Sequence, residues 1–64
     1  MNNTYTIGSL NPEYGWTMTS RCDLPTAKRV IEQETNNGAM KFHIVFWSIN
    51  GDAMEYSKDE LLSL

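Results

Sequence analysis

A chain of 64 residues with five Lys and Arg against eight Asp and Glu carries a formal charge of −3 and a pI near 4.8. That length is expected to form a single domain over residues 1–64 with a small core, since a domain of this size buries only about 60% of the surface its unfolded chain exposes. A self-contained enzyme with a deep pocket and a strongly basic nucleic-acid binder are both disfavoured.

The lone Cys22 cannot staple the fold. Small secreted domains usually depend on several disulfides, so the expectation is a reducing cytoplasm. The longest apolar run, Ile44-Val45-Phe46-Trp47, is far short of the ~20 residues that cross a bilayer. Met1-Asn2-Asn3-Thr4 lacks the basic and apolar regions of a signal peptide. The Asn2-Asn3-Thr4 glycosylation triplet is therefore discounted. Lys58-Asp59-Glu60-Leu61 is followed by three further residues and is not expected to act as a retention signal.

Along the chain, Thr4–Leu10 alternates β-branched and aromatic residues and predicts a strand. Asn11-Pro12-Glu13-Tyr14-Gly15 is turn chemistry. Trp16–Cys22 predicts a second strand, with Trp16, Met18, Ser20 and Cys22 on one face. Asp23 is the expected N-cap of a helix over 24–36, with Pro25 in the first turn. Leu24, Ala27, Val30 and Ile31 form its apolar stripe, and Asn36-Asn37-Gly38 stops it. Met40–Ile49 is the strongest strand signal. Asn50-Gly51 predicts a two-residue hairpin turn into Asp52–Tyr56, pairing Trp47 with Met54 and Val45 with Tyr56. Ser57 and Glu60 have capping-box spacing for a short helix near 58–63. The expected fold is α+β: a small four-stranded antiparallel sheet, ββαββ, with one main helix on one face and a short C-terminal helix.

The third strand is apolar on both faces, unlike an antiparallel strand with one solvated side. Val45, Trp47 and Ile49 need cover, and so do Phe42, Ile44 and Phe46. Three arrangements remain open: the C-terminal helix folds over the second face with Leu61 and Leu62 as plugs, that face is a homodimer interface, or it binds another protein.

Few residues suggest chemistry. Cys22 and His43 are the one thiol–imidazole combination, and nothing in their spacing brings them together. One Cys and one His do not make a zinc site, and no glycine-rich phosphate loop is present, so no metal or cofactor is expected. Asp59 and Glu60 are adjacent and point apart on a helix. The segment from Gly38 to Leu64 sets Asp52, Glu55, Asp59 and Glu60 against Lys41 and Lys58, an acidic surface that suits a basic partner. Arg21, Lys28, Arg29 and Lys41 are too few for a phosphate-binding footprint, even with Phe42, Phe46 and Trp47 available for stacking, and direct nucleic-acid binding is not expected.

Leu24-Pro25-Thr26-Ala27-Lys28-Arg29-Val30, followed by the Asn50-Gly51 turn and Tyr56-Ser57-Lys58, resembles a small phage family of type I-F anti-CRISPR proteins. The resemblance spans residues 24–58 and shares the strand–strand–helix–strand–strand order. It implies a non-enzymatic inhibitor that plugs the DNA-binding groove of a crRNA-guided surveillance complex, with Lys28 and Arg29 as the family's helix pair. Glu32 and Glu34 depart from that pattern and argue against nonspecific DNA capture, while an acidic chain suits a basic groove. The expected partner is thus a host protein. The expected contact residues are Phe42, Ile44 and Phe46 if that face is open, ringed by Asp52 and Glu55, with Lys28, Arg29 and Glu32 as a second patch. The alternatives are inhibition of another host protein such as RNA polymerase, a small DNA-binding regulator, or a homo-oligomer.

Overall fold

The computed structural model describes residues 3–64, and the Asn2-Asn3-Thr4 triplet begins outside them. The elements are β1 (Thr4–Asn11), β2 (Gly15–Met18), α1 (Leu24–Asn36), β3 (Lys41–Trp47), β4 (Ala53–Tyr56) and α2 (Lys58–Leu62). The strands form one antiparallel sheet in the order β2-β1-β3-β4. This is the expected α+β class with its main and short helices.

Local chemistry sets the helix ends. The Asp23 carboxylate accepts from the Thr26 N–H at 3.0 Å, satisfying one free donor of the first turn of α1. Gly38, at φ +93°, turns the chain out of α1, and its N–H donates to the Thr35 carbonyl. In α2 the capping box is complete: Ser57 Oγ accepts from Glu60 N–H, and the Glu60 carboxylate accepts from Ser57 N–H.

Two one-residue insertions in the ladder decide which side chains share a face. Thr19 N–H donates to Ile7, and Cys22 then exchanges both backbone bonds with Tyr5, leaving Ser20 and Arg21 to span what regular pairing would fill with one residue. Such a bulge reverses the alternation. Trp16 and Met18 therefore lie on one face and Cys22 on the other, whereas unbroken alternation to Cys22 was expected.

The second insertion is in the β3–β4 turn, which closes at Ser48 and Asp52 rather than at Ile49 and Asp52. Ser48 N–H donates to the Asp52 carbonyl, Ser48 Oγ accepts from the N–H groups of Asn50 and Asp52, and Gly51 takes φ +91°. Three residues turn instead of two, so the register moves by one: Phe46 faces Met54 and Ile44 faces Tyr56. Ile49 leaves the strand for the exposed turn.

The core lies on one side of the sheet. Tyr5, Ile7 and Ile44 meet Ala27 and Ile31 of α1 and Leu61 of α2. Phe42, Phe46 and Tyr56 border this cluster, and Tyr5, Phe46 and Tyr56 run as a row of rings with centroids 5.5 and 5.8 Å apart. Leu61, fully buried, joins the same core as α1. Of the three open arrangements, the one in which α2 crosses to the opposite face is not adopted: both helices cover the Phe42, Ile44 and Phe46 side. Buried Asn11 binds the two layers, its Nδ2 donating to the Asn37 carbonyl at 3.1 Å and its Oδ1 accepting from Glu13 N–H. Among the described residues no helix is long and apolar enough to cross a membrane.

Candidate interaction face

Among the described residues, no second layer covers the sheet side opposite the helices. Alternation brings Trp16 and Met18 of β2, Gly8 and Thr6 of β1, His43, Val45 and Trp47 of β3 and Glu55 of β4 onto it. Trp16 is 56% exposed and Met18 65%. Large apolar side chains grouped on one face mark contact surfaces far more often than single exposed ones do.

The far end of this face is ordered by Trp47. Its indole N–H donates to Thr6 Oγ1 at 3.1 Å, and the Arg21 guanidinium lies 4.4 Å from the ring centroid. The stacked arginine is held by the ring quadrupole while keeping its charge available. His43 and Glu55 pair across the strands at 2.8 Å, with side chains 47% and 74% exposed. An exposed pair of this kind adds little stability, at most about 1 kcal/mol.

Trp16, Thr17, Met18 and His43 line a groove of about 320 Å³, and Gly8 is buried beside it under Met18. Two further clefts lie elsewhere. One, about 330 Å³, is lined by Asn11, Glu13, Tyr14, Thr17, Glu34 and Asn37 at the C-terminal end of α1. The other, about 310 Å³, lies between the helices beside Glu32 and Lys58.

The structure distributes the residues singled out from the sequence over different surfaces. Ile44 is 1% exposed, and Phe42 and Phe46 are half-buried against the core. That triplet is the covered side of the sheet, so the condition attached to it as a contact surface is not met. The cause is that α2 packs beside α1. Asp52 lies in the β3–β4 turn and Glu55 on the open face, so the two do not ring one patch. Lys28 is half-buried, its ammonium donating to the Leu64 carbonyl at 2.8 Å, while Arg29 and Glu32 are exposed on α1. The residues missed were Trp16, Met18, Gly8 and Arg21. The usable signal was the glycine inside a β-branched strand pattern, which marks a bulge or a close approach.

Cys22 and His43 lie on opposite sides of the sheet. The Cys22 thiol donates to the Tyr5 carbonyl at 3.4 Å, and burial pushes its pKa up. A raised thiol pKa disfavours the thiolate that a nucleophile needs. Among the described residues no three His, Cys, Asp or Glu side chains are grouped to hold a metal ion.

Charge is segregated between the two sides. Glu55 is the one carboxylate on the open face, where Arg21 and Lys41 also lie, a formal +1 with His43 neutral. The helix-bearing side and the turns hold the other seven carboxylates against Lys28, Arg29 and Lys58, a formal −4. No family model matches the chain, and no curated protein and no solved structure matches it.

Proposed function

We propose that this chain is a non-enzymatic inhibitor that binds a host protein and lays its acidic, helix-bearing side against a basic, nucleic-acid-binding groove. The observation that carries this reading is the charge segregation, which leaves a formal −4 on the side formed by α1, α2 and the turns. Opposed fields of this kind steer encounter and fix orientation, and they weaken as salt screens them over a Debye length of about 10 Å at 0.1 M. The similarity of Leu24–Val30 to the helix start of type I-F anti-CRISPR proteins makes a crRNA-guided surveillance complex the first partner to test. In that setting the chain blocks target DNA by occupying its groove.

The test is capture of the tagged chain from a bacterial lysate that expresses the surveillance complex, with and without competing target DNA. The expected result is recovery of the effector subunits, competed by DNA. Reversing Glu32, Asp52 and Asp59 to Lys should weaken capture about tenfold or more. Capture unaffected by those reversals overturns the acidic-side reading. Recovery of host RNA polymerase instead leaves an inhibitor of that enzyme and removes the anti-CRISPR assignment.

A further inference from the structure

The cleft at the C-terminal end of α1 carries charge where the fold alone does not favour it. Glu34 stands in the last turn of the helix, where the peptide dipoles leave partial negative charge and a cation is preferred. That turn holds no basic residue, and the capping residue is Asn37. Glu13, from the turn between β1 and β2, lines the same cleft of about 330 Å³. Two carboxylates and a helix carbonyl end therefore meet, and the other lining residues, Asn11, Tyr14, Thr17 and Asn37, bring no positive charge. The one ion pair among the described residues joins His43 to Glu55, so neither glutamate is paired within them. Like charges so placed weaken a fold, and departures of this kind from local rules are expected at functional sites.

A buried side chain holds the cleft in shape. Asn11, 6% exposed, donates from Nδ2 to the Asn37 carbonyl and accepts at Oδ1 from Glu13 N–H, which fixes the turn against the helix end. Glu34 is half-buried and Glu13 exposed. Tyr14, also a lining residue, is 76% exposed. At about 30 Å³ per water the cleft has room for about eleven waters, ample for a guanidinium and its stem.

The lining selects among occupants. An anion is repelled by both glutamates. A metal ion lacks ligands, because among the described residues no three His, Cys, Asp or Glu side chains are grouped to hold one. An ammonium is a compact point charge, whereas a guanidinium is planar, spreads five donors over two carboxylates and stacks on an aromatic ring.

We propose that this cleft takes one arginine side chain of a protein partner, with the guanidinium between Glu13 and Glu34 and one face against the Tyr14 ring. The inference rests on the reading of the acidic side as the binding side, and names the anchor on it.

The experiment is an NMR titration of the whole chain with three short peptides that differ at one central residue: arginine, lysine, or citrulline, which keeps the shape of arginine without its charge. The arginine peptide is expected to shift the amides of Asn11, Glu13, Tyr14 and Glu34. It should bind about tenfold tighter than the citrulline peptide, since each exposed ion pair contributes a factor of up to about five. Tyr14→Ala should weaken binding about threefold. Glu34→Gln should also weaken it about threefold, yet leave the melting temperature unchanged or raised, a split that a merely structural role does not produce. Citrulline or lysine bound as well as arginine, binding unchanged in either variant, or shifts centred on Glu32, Asp52 and Asp59 overturns the proposal. In the lysate capture, Glu13→Gln with Glu34→Gln should weaken recovery of the partner. Recovery lost on reversing Glu32, Asp52 and Asp59 but not on this double change overturns the arginine anchor and keeps the acidic-side reading. Selective arginine binding with recovery unaffected by the reversals keeps the cleft and overturns that reading.

Discussion

Replacing Gly8 with Ala should stabilise this protein, although it alters the middle of a central strand. Glycine inside a strand costs roughly 0.5–1 kcal/mol relative to alanine, because the unfolded chain has more freedom to lose. The gain is realised only if a methyl fits. The three nearest heavy atoms, His43 Cβ, the His43 carbonyl oxygen and Met18 Cε, each stand 3.4 Å from the position the methyl would take. Those are ordinary contacts, and Met18 Cε is the free end of an exposed, flexible side chain. In a domain of this size 1 kcal/mol moves Tm by about 4–8 °C, so the expected rise is about 2–8 °C. Thermal melts followed by circular dichroism, with urea titrations alongside, measure it. A fall in Tm refutes the account of Gly8 as spare room, and means that the backbone approach of β3 needs the missing Cβ.

Three other outcomes test the framework. Leu61→Ala removes a fully buried side chain of the shared core and should cost about 2–5 kcal/mol, a large part of the roughly 3–10 kcal/mol expected for the whole domain; a loss below 1 kcal/mol by urea denaturation would place α2 outside the cooperative core. Hydrogen bonds from the Thr26 hydroxyl and N–H hold the Asp23 pKa below its ordinary value. Its stabilisation is therefore present above the unfolded value of about 3.9 and is lost as pH falls through the lower folded value. The stability gap between wild type and Asp23→Ala should accordingly narrow as pH drops below about 4, and a constant gap would show that the cap is not ionic. Burial raises the Cys22 pKa, so its contribution is present below the unfolded value of about 8.5 and is lost as pH rises through the folded one. Iodoacetamide should alkylate Cys22 more slowly in the native chain at pH 8 than in urea, and equal rates would contradict the half-buried, carbonyl-bonded thiol.

The helices were legible because their signals are local. Asp23, Pro25 and Gly38 mark the ends of α1 at Leu24 and Asn36, and Ser57 with Glu60 marks the start of α2. Strand order and faces were harder, for two identifiable reasons. Alternation identifies a face only while the ladder keeps count, and the extra residue at Ser20-Arg21 and the three-residue turn after Ser48 each shift it by one. The second reason is that β3 is apolar on both sides, so its composition does not say which side the helices take. That choice rests on Leu61 meeting Ile31 and Ile44, a contact between distant parts of the chain that no local pattern encodes. The open face followed from the same choice: Trp16 and Met18 were grouped correctly, but their relation to Trp47 and Arg21 depended on register.

The pairing of β1 with β3, from Thr4 opposite Trp47 to Leu10 opposite Lys41, has a consequence for the order in which the molecule is made. β1 finds its long partner only after α1 has been completed, and Leu61, which closes the core, follows both. Until then the β1–β2 hairpin carries Tyr5 and Ile7 uncovered, and a two-stranded ribbon is marginal in water. Folding of this unit therefore waits until Leu61 has been made, because its stabilising contacts are non-local. Chains ended before Leu61 are expected to be open and prone to degradation.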